Sequence, residues 1–352
     1  MHINSLLKIE LPIIQAPMAG VQDQRLAVAV ASAGGLGSIP CAMLSHAQII
    51  EQIEEFKSQS DGSYNLNFFC HQPPAHNPGA VQRWQQRLAP FYRELNIVPS
   101  NSAGSSRNPI DQQTIDLLAP FKPPVISFHF GLPSAAIMQQ IKAWGTVVLS
   151  SATSVAEAIW LEQHGVDIII AQGAEAGGHR AMFLETDLSA QQGTFSLLPN
   201  IINAVAVPVV AAGGIADASG VRAAMSLGAS AVQIGTSYLL CDEATTSPLH
   251  RRALTSESGK KTCITNVFSG RPARGIVNRA ITELGPVSDI APQFPLASAA
   301  FTALRSSAEK QQISDFSHFW CGQNNSGCQA ISATKMTLQL SAGLTGIPTN
   351  AN

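Results

Sequence analysis

Val166-Asp-Ile-Ile-Ile-Ala-Gln-Gly-Ala-Glu-Ala-Gly-Gly-His-Arg180 is the stretch whose reading decides the fold. Residues 166–171 are an apolar, β-branched run of the kind found in parallel strands buried on both faces. Gln172 then opens a glycine-rich loop, which brings polar groups and bare backbone to the carboxyl edge of a sheet. That edge is where α/β proteins build their sites. Glycines there let backbone N–H groups approach an anion or a flat ring without Cβ interference.

Working outward, eight such runs are expected as strands: Ile13–Met18, Gly35–Pro40, Tyr64–Phe69, Val125–Phe130, Thr146–Ser151, Asp167–Gln172, Pro208–Gly213 and Ala231–Thr236. Between them, segments such as Gln24–Ala33, Ser134–Ala143, Ser154–His164 and Ala218–Leu227 carry helical apolar spacing and good helix formers. Eight strands alternating with helices predict a closed (β/α)8 TIM barrel. An open doubly wound sheet is the alternative, weakened by the lack of a GxGxxG turn after the first strand.

Residues 71–109, rich in Pro, Gln, Asn and Ser, are too long for an ordinary βα connection and are expected to cross the barrel mouth. From about Cys241 the βα rhythm stops, with helices expected over Leu296–Lys310 and Ala330–Ala342. The expected division is a barrel over 1–240, a smaller cap or substrate-binding segment over 241–325, and a C-terminal helix over 326–352 whose tail frays from Gly343.

Hydrophobic residues make up 45% of the 352 and charged residues only 12%, so much surface is hidden in a core, a cleft or a subunit contact. With a net charge of −2 and no basic run, nucleic acid is not an expected partner. No apolar run is long enough for a membrane span. Residues 1–10 lack the basic and apolar regions of a secretory signal, so a cytoplasmic location is expected. The six cysteines are scattered without a CxxC pair, as in reduced, mostly buried thiols. No metal site is expected; His46, His71, His76 and His164 lack ligand spacing.

Period-two alternation selects the side chains that enter the barrel. It sends Asn65 and Asn67 inward, puts Ser127 and His129 on the inner face of the fourth strand, and turns Gln233 inward from the eighth. An Asn, a His and two Gln (with Gln172) at one mouth favour a site, because unpaired buried polar groups are costly. Gly213-Gly214 ends the seventh run, and Gln233-Ile234-Gly235-Thr236 ends the eighth. Barrels commonly bind phosphate at these two loops. No P-loop lysine is present, so a mononucleotide cofactor with one phosphate is expected rather than a nucleoside triphosphate. Met18, in Gln15-Ala-Pro-Met-Ala-Gly20, belongs to the same rim. His179 and Arg180 could touch a cofactor or be solvated, and Arg271, Arg274 and Arg279 could hold an anion or pin the cap.

In order, QAPMAG (15–20), NLNFFCH (65–71), SFHFG (127–131), QGAEAGGHR (172–180), AAGGI (211–215), VQIGT (232–236) and FSGRPARG (268–275) resemble the nitronate monooxygenases, formerly 2-nitropropane dioxygenases, of the class with a catalytic histidine. The resemblance implies an FMN-binding barrel with a smaller substrate domain, His129 as the active-site histidine, and FMN contacts at Met18, Asn67, Gln172, Gly177, Gly214 and Gln233–Thr236. It also implies a detoxifying oxidation of a nitronate, alkyl or carboxylated like propionate 3-nitronate, by FMN and O2 to a carbonyl compound plus nitrite or nitrate. With an ordinary pKa of about 6.5, His129 is expected to meet the nitronate as a cation or to take a proton from a neutral nitroalkane. Beyond residue 285 the resemblance fades; Phe294 and Phe301 are candidates for the pocket wall, and the only tyrosines are Tyr64, Tyr92 and Tyr238. Rival readings are a flavin-dependent enoyl-acyl-carrier-protein reductase and a non-catalytic phosphate-ligand binder.

Overall fold

The computed structural model describes residues 2–75, 77–97 and 107–345. Eight parallel strands form one sheet: β1 (Ile13–Gln15), β2 (Gly37–Pro40), β3 (Tyr64–Phe69), β4 (Val125–His129), β5 (Val147–Ala152), β6 (Ile168–Gln172), β8 (Val209–Ala212) and β9 (Ala231–Ile234). A short extra strand, β7 (Gly178–His179), lies in the loop after β6. β1 pairs with β9, and Gln15 N–H donates to the Leu36 carbonyl at 2.9 Å beside an Ile14–Leu36 bridge, so the sheet closes on itself. All eight expected strands are present, and the barrel is the observed fold.

The alternation works as the sequence requires. Ile126 and Phe128 of β4 are buried in the layer between strands and helices, with Leu66, Phe68, Ile169 and Val232. The inner layer near the amino ends is apolar, built from Ile14, Leu36, Val125, Leu149, Ile168, Val210 and Ala231, and the helix Ile3–Leu7 packs against it. Toward the carboxyl ends the inner layer turns polar, with Ser38, Asn65, Asn67 and Ser127 all buried. The barrel helices start where caps stand: Asp23, Ser154 and Asp217 each accept an N–H of the first turn. Each such cap contributes about 1 kcal/mol.

Residues 71–109 hold more than a polar crossing. They carry the helix Pro78–Glu94, started by Asn77 and by a proline in the first turn. Its Trp84, Leu88, Phe91 and Tyr92 share a second apolar core with Val267, Phe268, Phe301, Leu304 and Phe316 from beyond β9. The helical spacing of those four aromatic and aliphatic residues was readable, but the surrounding polar composition masked it. His76 and residues 98–106 of this excursion lie outside the described residues.

Beyond β9, β10 (Thr262–Thr265) and β11 (Ala273–Ile276) form an antiparallel pair, to which β7 adds a third strand. The glycine-rich loop is thereby stitched to the cap. The helices Leu296–Lys310 and Ala333–Ser341 match the expected stretches closely. The chain does not fray at Gly343: that residue is buried in a turn, and a Cβ there would stand 2.1 Å from the Ala218 carbonyl oxygen. Of the expected tail, residues 346–352 lie outside the described residues.

Candidate active site

One cavity of about 340 Å³ opens at the carboxyl ends of the strands. Its wall contains His129 and all the residues expected to touch a cofactor: Met18, Asn67, Gln172, Gly177, Gly213, Gly214, Gln233, Ile234, Gly235 and Thr236. Chain-distant segments meet here because parallel strands deliver all their carboxyl ends to one face.

Asn67, Met18 and Gln172 are each fixed by identifiable partners. Asn67 donates to Ser127 Oγ at 2.9 Å, and Asn65, one layer deeper, donates to Ser38 Oγ at 3.0 Å and Ser127 Oγ at 2.9 Å. Gln22 Oε1 accepts from Met18 N–H at 2.8 Å and from Gln15 Nε2 at 2.7 Å, pinning the Met18 turn. Gln172 Nε2 donates to the His179 carbonyl at 3.0 Å, while its Oε1 accepts from Ala181 N–H at 2.9 Å.

Arg180 neither lines the cavity nor faces water. It is fully buried and donates to the Gly173 carbonyl at 2.6 Å, the Gln172 carbonyl at 2.7 Å and Gln191 Oε1 at 2.8 Å. Its work is to hold the loop after β6 in place. Glu175 supports the same loop from the cavity wall, accepting Thr194 N–H at 2.8 Å and Thr194 Oγ1 at 2.9 Å.

Two glycines have separate reasons to lack a side chain. A Cβ on Gly177 would meet Gly322 N at 2.6 Å, so the cap backbone needs that space. Gly214 has φ +74°, a left-handed conformation that L residues rarely adopt. Among the described residues, the N–H groups of Gly214 and Gly235 find no hydrogen-bond acceptor, and Gln233 Oε1 is buried without a partner. Free donors and an orphan acceptor lining one cavity are the features of a polar ligand site.

His129 ends β4, and the chain turns sharply after it through Phe130, whose φ of +72° is unusual for a bulky residue. The Arg271 guanidinium lies 3.9 Å from the centre of the Phe130 ring and donates to the Met182 carbonyl. His129 Nε2 stands 3.1 Å from the His179 carbonyl and Nδ1 3.4 Å from Ser151 Oγ. Because a carbonyl only accepts, Nε2 carries the proton and Nδ1 keeps its lone pair. Burial lowers the pKa of His129 to about 3; Arg271 and Arg180 push the same way, and the His179 carbonyl opposes them. The imidazole is therefore neutral near pH 7, which leaves the proton acceptor, and not the cation, of the two roles expected for it.

The sequence-suggested arginines fall outside the wall. Arg274 donates to the Ala174 carbonyl at 2.8 Å, and Arg279 pairs with Glu94 at 2.5 Å and Glu283 at 2.6 Å, pinning the cap. Positive charge comes instead from Arg107 and Arg305, with His179, His250, His318 and Trp320 nearby in the wall. Of these, sequence reasoning raised only His179 and passed over Arg107, His250, Arg305, His318 and Trp320. One signal was present: Ser298, Thr302 and Arg305 recur at i, i+4 and i+7 on one face of the helix Leu296–Lys310. Phe294 packs on His71 and His179 with ring centres 4.8 and 5.3 Å apart, behind the cavity wall. Tyr64, Tyr92 and Tyr238 are core residues. Among the described residues no cluster of metal ligands occurs, the cysteines are free thiols, and no helix is long and apolar enough to cross a membrane.

Comparison with known proteins agrees with this fold. The family profile described as nitronate monooxygenase matches residues 2–343. A nitronate monooxygenase of Paraburkholderia phytofirmans is 38% identical over 339 residues, spanning 95% of this chain and 92% of that protein. One from Pseudomonas aeruginosa is 37% identical, spanning 98% of this chain and 99% of the other. Among solved structures, a nitroalkane oxidase from Streptomyces ansochromogenes superposes with a TM-score of 0.89 at 34% identity, covering 97% of each chain. FabK from Thermotoga maritima follows at a TM-score of 0.72 and 25% identity, covering 97% of this chain and 96% of its own. With its family profile, its relatives and its barrel in agreement, this chain belongs to the nitronate monooxygenase family.

Proposed function

We propose that the protein oxidises nitronates to carbonyl compounds plus nitrite or nitrate, using non-covalently bound FMN and O2. The observation that carries this reading is the cavity itself, which brings His129 together with the free N–H groups of Gly214 and Gly235 and the orphaned Gln233 acceptor. Those residues fit FMN: Gly214 and Gly235 would hold its phosphate, and Gln233, Asn67 and Gln172 its polar edges, with Met18 against the ring. When bound, FMN supplies the redox chemistry between the nitronate and oxygen.

The chain's own residues bind and orient. Two guanidinium groups in the wall, Arg107 and Arg305, give the cavity a positive field that favours an anionic substrate, alkyl or carboxylated. Neutral His129 offers a lone pair at Nδ1, so it can accept the carbon-bound proton of a nitroalkane; a nitronate needs no such transfer. The His179 carbonyl keeps the ring in one tautomer, and Ser151 donates to Nδ1 until substrate displaces it. Arg305, His318 and Trp320 bring the segment beyond the barrel into the cavity wall, and each low-dielectric contact there strengthens attraction to an anion.

The test is direct. The purified protein should be yellow and release FMN on heating, and oxygen should be consumed with a nitronate in a molar ratio to carbonyl product. Release of FAD, or NADPH consumption with an enoyl thioester, would overturn the reading.

A further inference from the structure

At the histidine end of the cavity, a side alcove of about 10 Å³ is lined by Arg107, Phe268, Ser298, Phe301, Thr302, Arg305 and His318. Arg107, Arg305 and His318 belong to both walls, so the two spaces are continuous. Such a volume has room for one small ion or one ligand oxygen.

The charges in the alcove lack a counterpart. Every Asp and Glu of the chain lies among the described residues, and none of them pairs with Arg107 or Arg305. The two guanidinium groups instead face each other's field, with Arg107 lowered to about 10 first by burial and then by Arg305. Arg305 Nη1 donates to His318 Nδ1 at 3.0 Å, while among the described residues its buried Nε has no acceptor. Arg107 donates to Ser298 Oγ, and among the described residues the Ser298 hydroxyl proton has no acceptor of its own. The floor is apolar, formed by Phe268 and Phe301 with ring centres 4.9 Å apart. Two like charges over apolar surface repel strongly, and an anion between them relieves that cost.

We propose that this alcove is an exchangeable site for a small monovalent anion, held by Arg107, Arg305 and the Ser298 hydroxyl. The ion is chloride-sized and comes from solution; the acidic group of an organic ligand offers the same chemistry to the same donors. Before a larger anionic ligand enters this end of the cavity, the resident ion leaves or shares its place. The inference does not rest on the nitronate reading, because it concerns ion binding and not turnover.

The probe is chloride itself, followed by 35Cl NMR line width on the purified full-length protein. Excess broadening is expected in the wild type, with nitrite displacing it. The broadening should vanish in Arg305→Met and Arg107→Met, and Arg305→Lys should retain part of it, which keeps the test valid if a methionine variant folds poorly. Displacement by propionate as well as nitrite would assign the site to organic acid groups too; displacement by inorganic ions alone would restrict it to them. No excess broadening in the wild type, or equal broadening in folded methionine variants, would overturn the proposal.

Discussion

Lowering the pH from 7 to 5 should destabilise this protein steeply. His71 and His250 are buried, and burial lowers both to about 4; Arg271 adds to the effect at His71, and Arg251 at His250, against the Trp320 backbone. His129 falls to about 3 for the same primary reason. In the unfolded chain each titrates near 6.5. Above that value both states are neutral and nothing is lost. As the pH falls below it, the unfolded state binds protons that the folded state refuses, so stability drops by about 1.4 kcal/mol per pH unit for each group. From pH 7 to 5 each histidine costs about 2 kcal/mol, and the three together about 6 kcal/mol. That is a large share of the roughly 5–15 kcal/mol by which domains are stable. His179 and His318, also lowered well below the ordinary range by burial, act in the same direction. Urea denaturation at the two pH values measures the difference, and His71→Phe should recover about 2 kcal/mol of it at pH 5. Equal stability at both pH values, or histidine resonances titrating near 6.5 in the folded protein, would refute the reasoning.

Three further outcomes follow from the site and the cap. His129→Asn should lower activity on neutral nitroalkanes by about 10²–10⁴-fold and on nitronates far less, since only the former surrender a proton; equal loss on both would assign His129 to binding. Gly214→Asp should weaken FMN retention by at least about 10²-fold relative to Gly214→Asn, because both tolerate the left-handed backbone and only Asp brings a charge against the phosphate. Equal flavin occupancy in the two variants would move the phosphate elsewhere. Trp84→Ala, which empties the fully buried centre of the second core, should cost about 3–5 kcal/mol in denaturant titration; a loss under about 1 kcal/mol would mean that the cap core is not cooperative with the barrel.

The barrel and much of its mouth were legible in the sequence because their signals are local. Strand alternation turned Asn65, Asn67 and His129 inward without knowledge of any partner, and the glycine pair after β8 marked a backbone turn by itself. The helix Pro78–Glu94 was hidden by its polar setting, and only packing against the helix Leu296–Lys310 gives its apolar face a purpose. The positive end of the cavity joins Arg107 to Arg305, and the Met18 turn hangs on Gln22, pairings that become visible only when the chain has closed. The protonation of His129 belongs to the tertiary structure for the same reason. Alternation decides where a side chain points, but a pKa is set by the water removed and the charges gathered around it, and those come from distant parts of the chain.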